Sequence, residues 1–140
     1  MTGGNCTVGG VHVQHGFELH CNANQTPNNL EVNWTIDGQT GSYRFHLEAL
    51  ETAFCTDNPN LDEEQPVAGF DTYDGTGEGR YTDNQNDQCD AFAKWTFTDD
   101  GEPGSGVDHL KITITCDETD LKVLDISCKL KGGNHQAHKK

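Results

Sequence analysis

Apolar and polar residues alternate in short runs along most of this chain. In VHVQHGFELHC, Val11 and Val13 share one face, and Phe17, Leu19 and Cys21 share one face after Gly16. His12, Glu18 and His20 point the other way, as successive side chains do on a pleated strand. LEVNWTID repeats the pattern with Leu30, Val32, Trp34 and Ile36 together, and DGQTG then reverses the chain. SYRFHLEALETAFC alternates at Tyr43, Phe45 and Leu47, although Leu47, Leu50 and Phe54 also fit a helical face. We read it as a strand that bends or coils near Glu48.

Residues 56–71, TDNPNLDEEQPVAGFD, hold two prolines and no periodicity, and read as a long loop. The next stretch, FDTYDGTGEGRYTDNQNDQCD, reads as an edge hairpin and loop. Asp74-Gly75 turns the chain, Arg80-Tyr81 re-enter the sheet and Cys89 ties the loop down. In AFAKWTFTD, Ala91, Ala93, Trp95 and Phe97 oppose Phe92, Lys94, Thr96 and Thr98. Finally DHLKITITC and LKVLDISCKL flank the turn DETD. Leu110, Ile112, Ile114 and Cys116 line one face, and Leu124, Ile126, Cys128 and Leu130 line one face of the next strand. Strands this short between Asn/Asp/Gly turns predict an all-β, single-domain antiparallel β-sandwich or open barrel with long acidic loops. The domain spans residues 1–140, with 1–9 an N-terminal segment and 132–140 a polar tail or edge strand.

Composition sharpens this picture. Hydrophobic residues make up only 32% of the 140, beside 16 glycines, which suits strands and turns better than helices. Six cysteines without a Cys-x-x-Cys pair predict three disulfides in an oxidising compartment. Cys21 with Cys55 is the favoured pair, because both close strand-like runs around one turn-separated unit. Cys116 with Cys128 comes second, leaving Cys6 with Cys89. MTGG reads as a start methionine on a mature N-terminus whose export signal has been removed; the cysteines alone carry the expected location, which is secreted, extracellular. Asn5, Asn24 and Asn33 each begin an Asn-x-Ser/Thr triplet.

The net charge of −14 is concentrated: 14 acidic residues lie between Asp57 and Asp108, against only Arg80 and Lys94. Such a block repels nucleic acid, which is excluded as a partner. No apolar run has membrane-spanning length, so no membrane insertion is expected. Polysaccharide or another extracellular protein are the partners left.

TDDGEPGSGVDHLKITI combines an acidic turn, Gly-Glu-Pro-Gly and an Asp-led strand, and GGNHQAHK closes the chain. These segments resemble bacterial extracellular β-rich modules of the post-COAP type, and the resemblance runs from about Phe70 to His138. HGFELHC, RFHLEAL, FCTDNP and FDTYDGTGEGRY are similar to uncharacterised secreted bacterial proteins. The resemblance implies a secreted β module and brings no catalytic residues.

Four site chemistries compete. Asp71, Asp74, Glu78, Asp83, Asp87 and Asp90 supply the oxygens a calcium ion needs, although the EF-hand pattern is broken; the competing reading is a solvated surface with Asp-Gly turns. His12, His20, His135 and His138 form a zinc or copper candidate if the terminal segments pair, against the commoner fate of exposed, hydrogen-bonded histidines. Tyr73 and Tyr81, beside acidic turns, are candidates for stacking on a sugar, whereas Trp34 and Trp95 share faces with core residues. No nucleophile elbow, phosphate loop or dinucleotide fingerprint is present, so no catalytic residue is assigned. The expected function is a secreted non-catalytic binding or structural module of a bacterial cell surface or extracellular matrix, stabilised by calcium. The alternatives are a carbohydrate-binding module and a small extracellular histidine-based metalloprotein or hydrolase.

Overall fold

A computed structural model describes residues 3–56, 72–98 and 108–133. Its strands are β1 (Gly4–Val8), β2 (Val11–Glu18), β3 (Asn29–Ile36), β4 (Tyr43–Thr56), β5 (Thr72–Thr82), β6 (Gln88–Thr98), β7 (His109–Cys116), β8 (Lys122–Lys129) and the two-residue β9 (Gly132–Gly133). Each strand from β1 to β8 pairs antiparallel with the next in chain order. After β8 the chain bends back onto its own beginning: β9 pairs with β1 through Gly4–Gly133 and Asn5–Gly132. The Lys131 amide also donates to the Asn5 carbonyl at 2.8 Å. The all-β expectation resolves to one eight-stranded antiparallel sheet nearly closed into a barrel.

Side-chain parity places the core. On β2 the inward row runs unbroken through Val11, Val13, His15 and Phe17, so Gly16 does not interrupt the strand. His15 is therefore an interior residue. It packs against the Phe17–Phe97 pair, with ring centroids 5.7 and 5.3 Å away. Burial pushes its pKa down to about 4, against a smaller opposing effect of a backbone hydrogen bond with Gly4, and it is neutral at physiological pH. The barrel is filled with apolar side chains and turns polar ones outward, the reverse of a membrane barrel's lipid-facing surface.

The segment read as an acidic turn is instead the continuous strand β5, between β4 and β6. Its inward positions are Tyr73, Gly75, Gly77, Gly79 and Tyr81, all buried. The three glycines are wanted for their missing side chain. A Cβ on Gly75 would lie 2.6 Å from the Trp95 ring, and one on Gly77 would lie 2.5 Å from both Leu47 Cδ1 and the Ala49 carbonyl oxygen. On Gly79 it would lie 2.1 Å from the His46 carbonyl oxygen. Neighbouring strands thus push bulky side chains over a bare strip of backbone. Strand β4 supplies the matching curvature. The bend expected near Glu48 is a bulge, and a second follows between Leu50 and Thr52. With these extra residues Leu47, Leu50, Ala53 and Cys55 all face β5's inward row, while Phe54 points to solvent. The helical alternative for this run is not realised.

All six cysteines are paired, as Cys6–Cys128, Cys21–Cys55 and Cys89–Cys116. The Cys21–Cys55 expectation holds; the other two pairings are corrected. In the β7–β8 register Cys128 lies opposite Leu110, six residues along β7 from Cys116. That places Cys116 and Cys128 at opposite ends of the barrel, about 20 Å apart along the strand. Cys128 instead reaches across the seam to Cys6 on β1, and Cys89 reaches diagonally to Cys116.

Two stability outcomes follow from this construction. Gly79→Ala forces a Cβ into fixed backbone and lowers unfolding free energy by about 1–3 kcal/mol, whereas Gly16→Ala, with nothing within 4 Å, leaves it nearly unchanged in urea titrations. Replacing Cys6 and Cys128 by alanine frees a span of 122 residues, against 27 for Cys89 and Cys116. The chain-entropy argument makes the first pair more costly by about 1 kcal/mol, and the two double variants measure this directly.

Candidate functional site: a polar row on the outer barrel face

The strand registers align one outward row across six strands: Asn5 on β1, Gln14, Asn33, Arg44, Thr82 and Gln88 on β6. It covers five strand spacings, about 24 Å. Five of the six members are exposed and Thr82 is half-buried. None is a carboxylate, in a chain that carries 23 of them. An outward polar row is what any solvated sheet presents; its uniformly amide, hydroxyl and guanidinium chemistry in so acidic a chain sets it apart.

At the β1–β3 end of the row a groove of about 480 Å³ opens. Asn5, Thr7, Gln14, Asn33, Thr35 and Ser42 line it, with the buried Cys6, Val13 and Trp34 at its floor. His12 stands beside them and is held from both sides. Its Nδ1 is 3.1 Å from the Thr7 hydroxyl and its Nε2 is 2.9 Å from Asp37 Oδ1. Asp37 is itself placed by the β3–β4 turn, where its amide donates to the Gly10 carbonyl.

A hydroxyl, an imidazole and a carboxylate in sequence is the order a nucleophilic relay uses. Here His12 and Asp37 keep 49% and 72% of their side-chain surface. Water competes for every member, and a site in open solvent gains none of the low-dielectric strengthening that such catalysis draws on. The relay fixes the groove wall. The groove's own chemistry is hydrogen bonding: each amide offers donors and an acceptor on one plane, and each hydroxyl offers both.

The residues expected to form sites are dispersed or buried. Tyr73 and Tyr81 face the interior, at 1% and 8% exposure. Tyr73 donates to the His20 carbonyl at 2.7 Å, and Tyr81 stacks with Trp34 and Tyr43. The sugar platform placed on them is therefore corrected, because both belong to an inward strand row rather than a loop. His12 and His20 sit near opposite ends of β2, roughly 25 Å apart along the chain, so they do not meet. His135 and His138 lie outside the described residues, as does Asp71.

The calcium candidates fall into separate structures. Asp74 accepts from Thr96 Oγ1 at 2.5 Å on the outer face, and Asp90 pairs with Arg80 at 3.4 Å. Asp83 caps the β5–β6 turn by accepting from the amides of Gln85 and Asp87 at 2.8 and 2.9 Å. The two acidic stretches that supplied the calcium candidates, DTYDGTGEG and DNQNDQCD, are not ion-wrapping loops from Thr72 onward: the first runs along β5, and the second forms the β5–β6 turn and the start of β6. Among the described residues, no three His, Cys, Asp or Glu side chains are grouped to hold a metal ion.

Glu78 does have acidic neighbours. Partial burial, a hydrogen bond with Asp117, and the charges of Asp117, Glu51 and Asp90 push its pKa up to about 7. Comparison of the chain with protein-family models, curated proteins and solved structures gives no match.

The raised Glu78 pKa has a defined sign. Between the ordinary value of 4.5 and about 7 the folded chain binds more protons at this group than the unfolded chain, so its contribution to stability falls as pH rises through that window. Glu78→Gln is expected to flatten the pH dependence of Tm there and to raise Tm relative to the parent protein above the window, as thermal melts across it would show.

Proposed function

We propose that this chain is a secreted, non-catalytic binding module that takes a hydroxyl-rich saccharide on the outer face of its barrel, at a bacterial cell surface or in an extracellular matrix. The observation that carries this reading is the groove on β1–β3, lined by Asn5, Thr7, Gln14, Asn33, Thr35 and Ser42. Neighbouring hydroxyls on a sugar ring present paired donors and acceptors, and side-chain amides answer them in kind. The interior is occupied by its own aromatic and aliphatic side chains, which leaves the outer surface for recognition. Eight-stranded barrels that hold a ligand inside need room this core does not leave.

Three disulfides fit an oxidising compartment, and secretion is the setting in which a surface saccharide is met. No helix among the described residues is long and apolar enough to cross a membrane. The affinity expected of one exposed groove without a stacking aromatic ring is modest, because few contacts exclude water.

A glycan array read with the disulfide-intact protein tests the proposal, and titration calorimetry of the best binder quantifies it. Gln14→Ala and Asn33→Ala, both exposed, are each expected to weaken binding about three- to tenfold, the size of one net hydrogen bond, with Tm unchanged. An array without hits sinks the saccharide reading.

A further inference from the structure

Resting on the saccharide reading, we infer that Arg44 forms an oxyanion subsite beside the groove, so that the saccharide recognised is an acidic one, bearing carboxylate or sulfate groups. Arg44 and Arg80 are the chain's only arginines. The fold places both on the outer face of adjacent strands, Arg44 opposite Thr82 and Arg80 opposite His46. They are diagonal neighbours, within about 8 Å between backbone positions. Both line a cleft of about 370 Å³ that also holds His46, Thr82 and Gln88. This cleft adjoins the amide groove, because Arg44 lies directly across from the groove residue Asn33.

The two guanidinium groups differ in what they already hold. Arg80 reaches Asp90 at 3.4 Å and Gln88 at 3.5 Å. Arg44 makes no ion pair or hydrogen bond among the described residues, and its side chain is exposed. Its five N–H donors lie in a planar fork that matches the paired oxygens of a carboxylate or sulfate. Two carboxylates also line the cleft, and neither claims Arg44. Glu31 lies 3.8 Å from His46, and Glu48 sits in the β4 bulge four residues along the strand, roughly 13 Å away. A guanidinium left open in so acidic a chain, within a carboxylate-free row, is the feature a solvated face does not require.

The row gives this subsite a direction. A saccharide lying along Gln14, Asn33 and Arg44 meets amides through its hydroxyls and then presents its anionic substituent to the guanidinium. The next row, Glu31, His46, Arg80 and Asp90, holds its own Arg80–Asp90 pair and places Glu31 beside His46, so the positive charge of the subsite is that of Arg44 itself.

Titration calorimetry with two matched pairs of probes tests the inference. Oligogalacturonate is set against its carboxyl-reduced neutral form, and dextran sulfate oligosaccharide against dextran. The acidic member of at least one pair is expected to bind about tenfold tighter, as one charge-assisted contact predicts, and added salt should erode that preference. The pair that shows it identifies the anion. Arg44→Gln should abolish the preference with Tm unchanged, leaving acidic and neutral members bound alike, whereas Gln14→Ala weakens both members and keeps the preference. Equal binding of acidic and neutral probes overturns the subsite and leaves the groove reading standing. If no saccharide binds, the groove reading fails, and the Arg44 Nε–Hε resonance under titration with sodium sulfate judges the subsite alone. A saturable shift of this resonance, with the Arg80 Nε–Hε resonance unmoved, retains it; no shift, or equal shifts of both, overturns it.

Discussion

Everything in this structure depends on the bare inward edge of β5. An eight-stranded barrel leaves room for the side chains of its walls and little more. Trp34, Tyr43, Phe45, Leu47, Tyr81, Trp95 and Phe97 must all fit within it. They do so because one wall contributes three glycines in a row at alternate positions, with Trp95, Leu47 and Phe45 laid against them. Without that strip the large rings and β4's side chains would demand the same volume. The bulges at Glu48 and in the Leu50–Thr52 stretch bring β4 over the strip while keeping its apolar residues inward.

Closure is the second consequence. Once the core is curved, β8 arrives beside β1, and Gly132–Gly133, the Lys131 amide and Cys6–Cys128 join the first strand to the last. Joining them removes most of the unpaired edge that an open sheet would expose. Cys6–Cys128 cross-links the two ends of the meander, 122 residues apart, where a domain with only 32% hydrophobic residues gains most from restricting its unfolded chain. With the interior spent on packing, the proposed recognition is left to the outer surface. The outward partners of the same alternation form the polar row from Asn5 to Gln88. Core and site are thus two faces of one register.

Much of this was legible in the residues. Alternation at Leu30–Ile36, Ala91–Phe97, Leu110–Cys116 and Leu124–Leu130 assigned both the strands and their buried faces, because a period of two leaves no other arrangement. The triplets Asn5–Thr7 and Asn33–Thr35 already placed an amide and a hydroxyl on a common face, two residues apart. Gln14, Arg44 and Gln88 carried no such signal: a single polar residue on a strand looks the same whether it faces a groove or open water. The glycine strip was misread for a related reason. Asp74-Gly75 has turn chemistry locally, and only a neighbour's bulky ring makes a side chain impossible there.

By itself the sequence determined an all-β, cross-linked domain with named inward faces, because side-chain alternation and cysteine count are local quantities. Tertiary structure decided which strands are neighbours, and hence that Cys128 meets Cys6, that Tyr73 and Tyr81 are buried, and that Asn33 stands beside Arg44. Those relations depend on register between segments up to 122 residues apart. Distances of that kind are set when eight strands settle together around one interior volume, and no single stretch of chain records them.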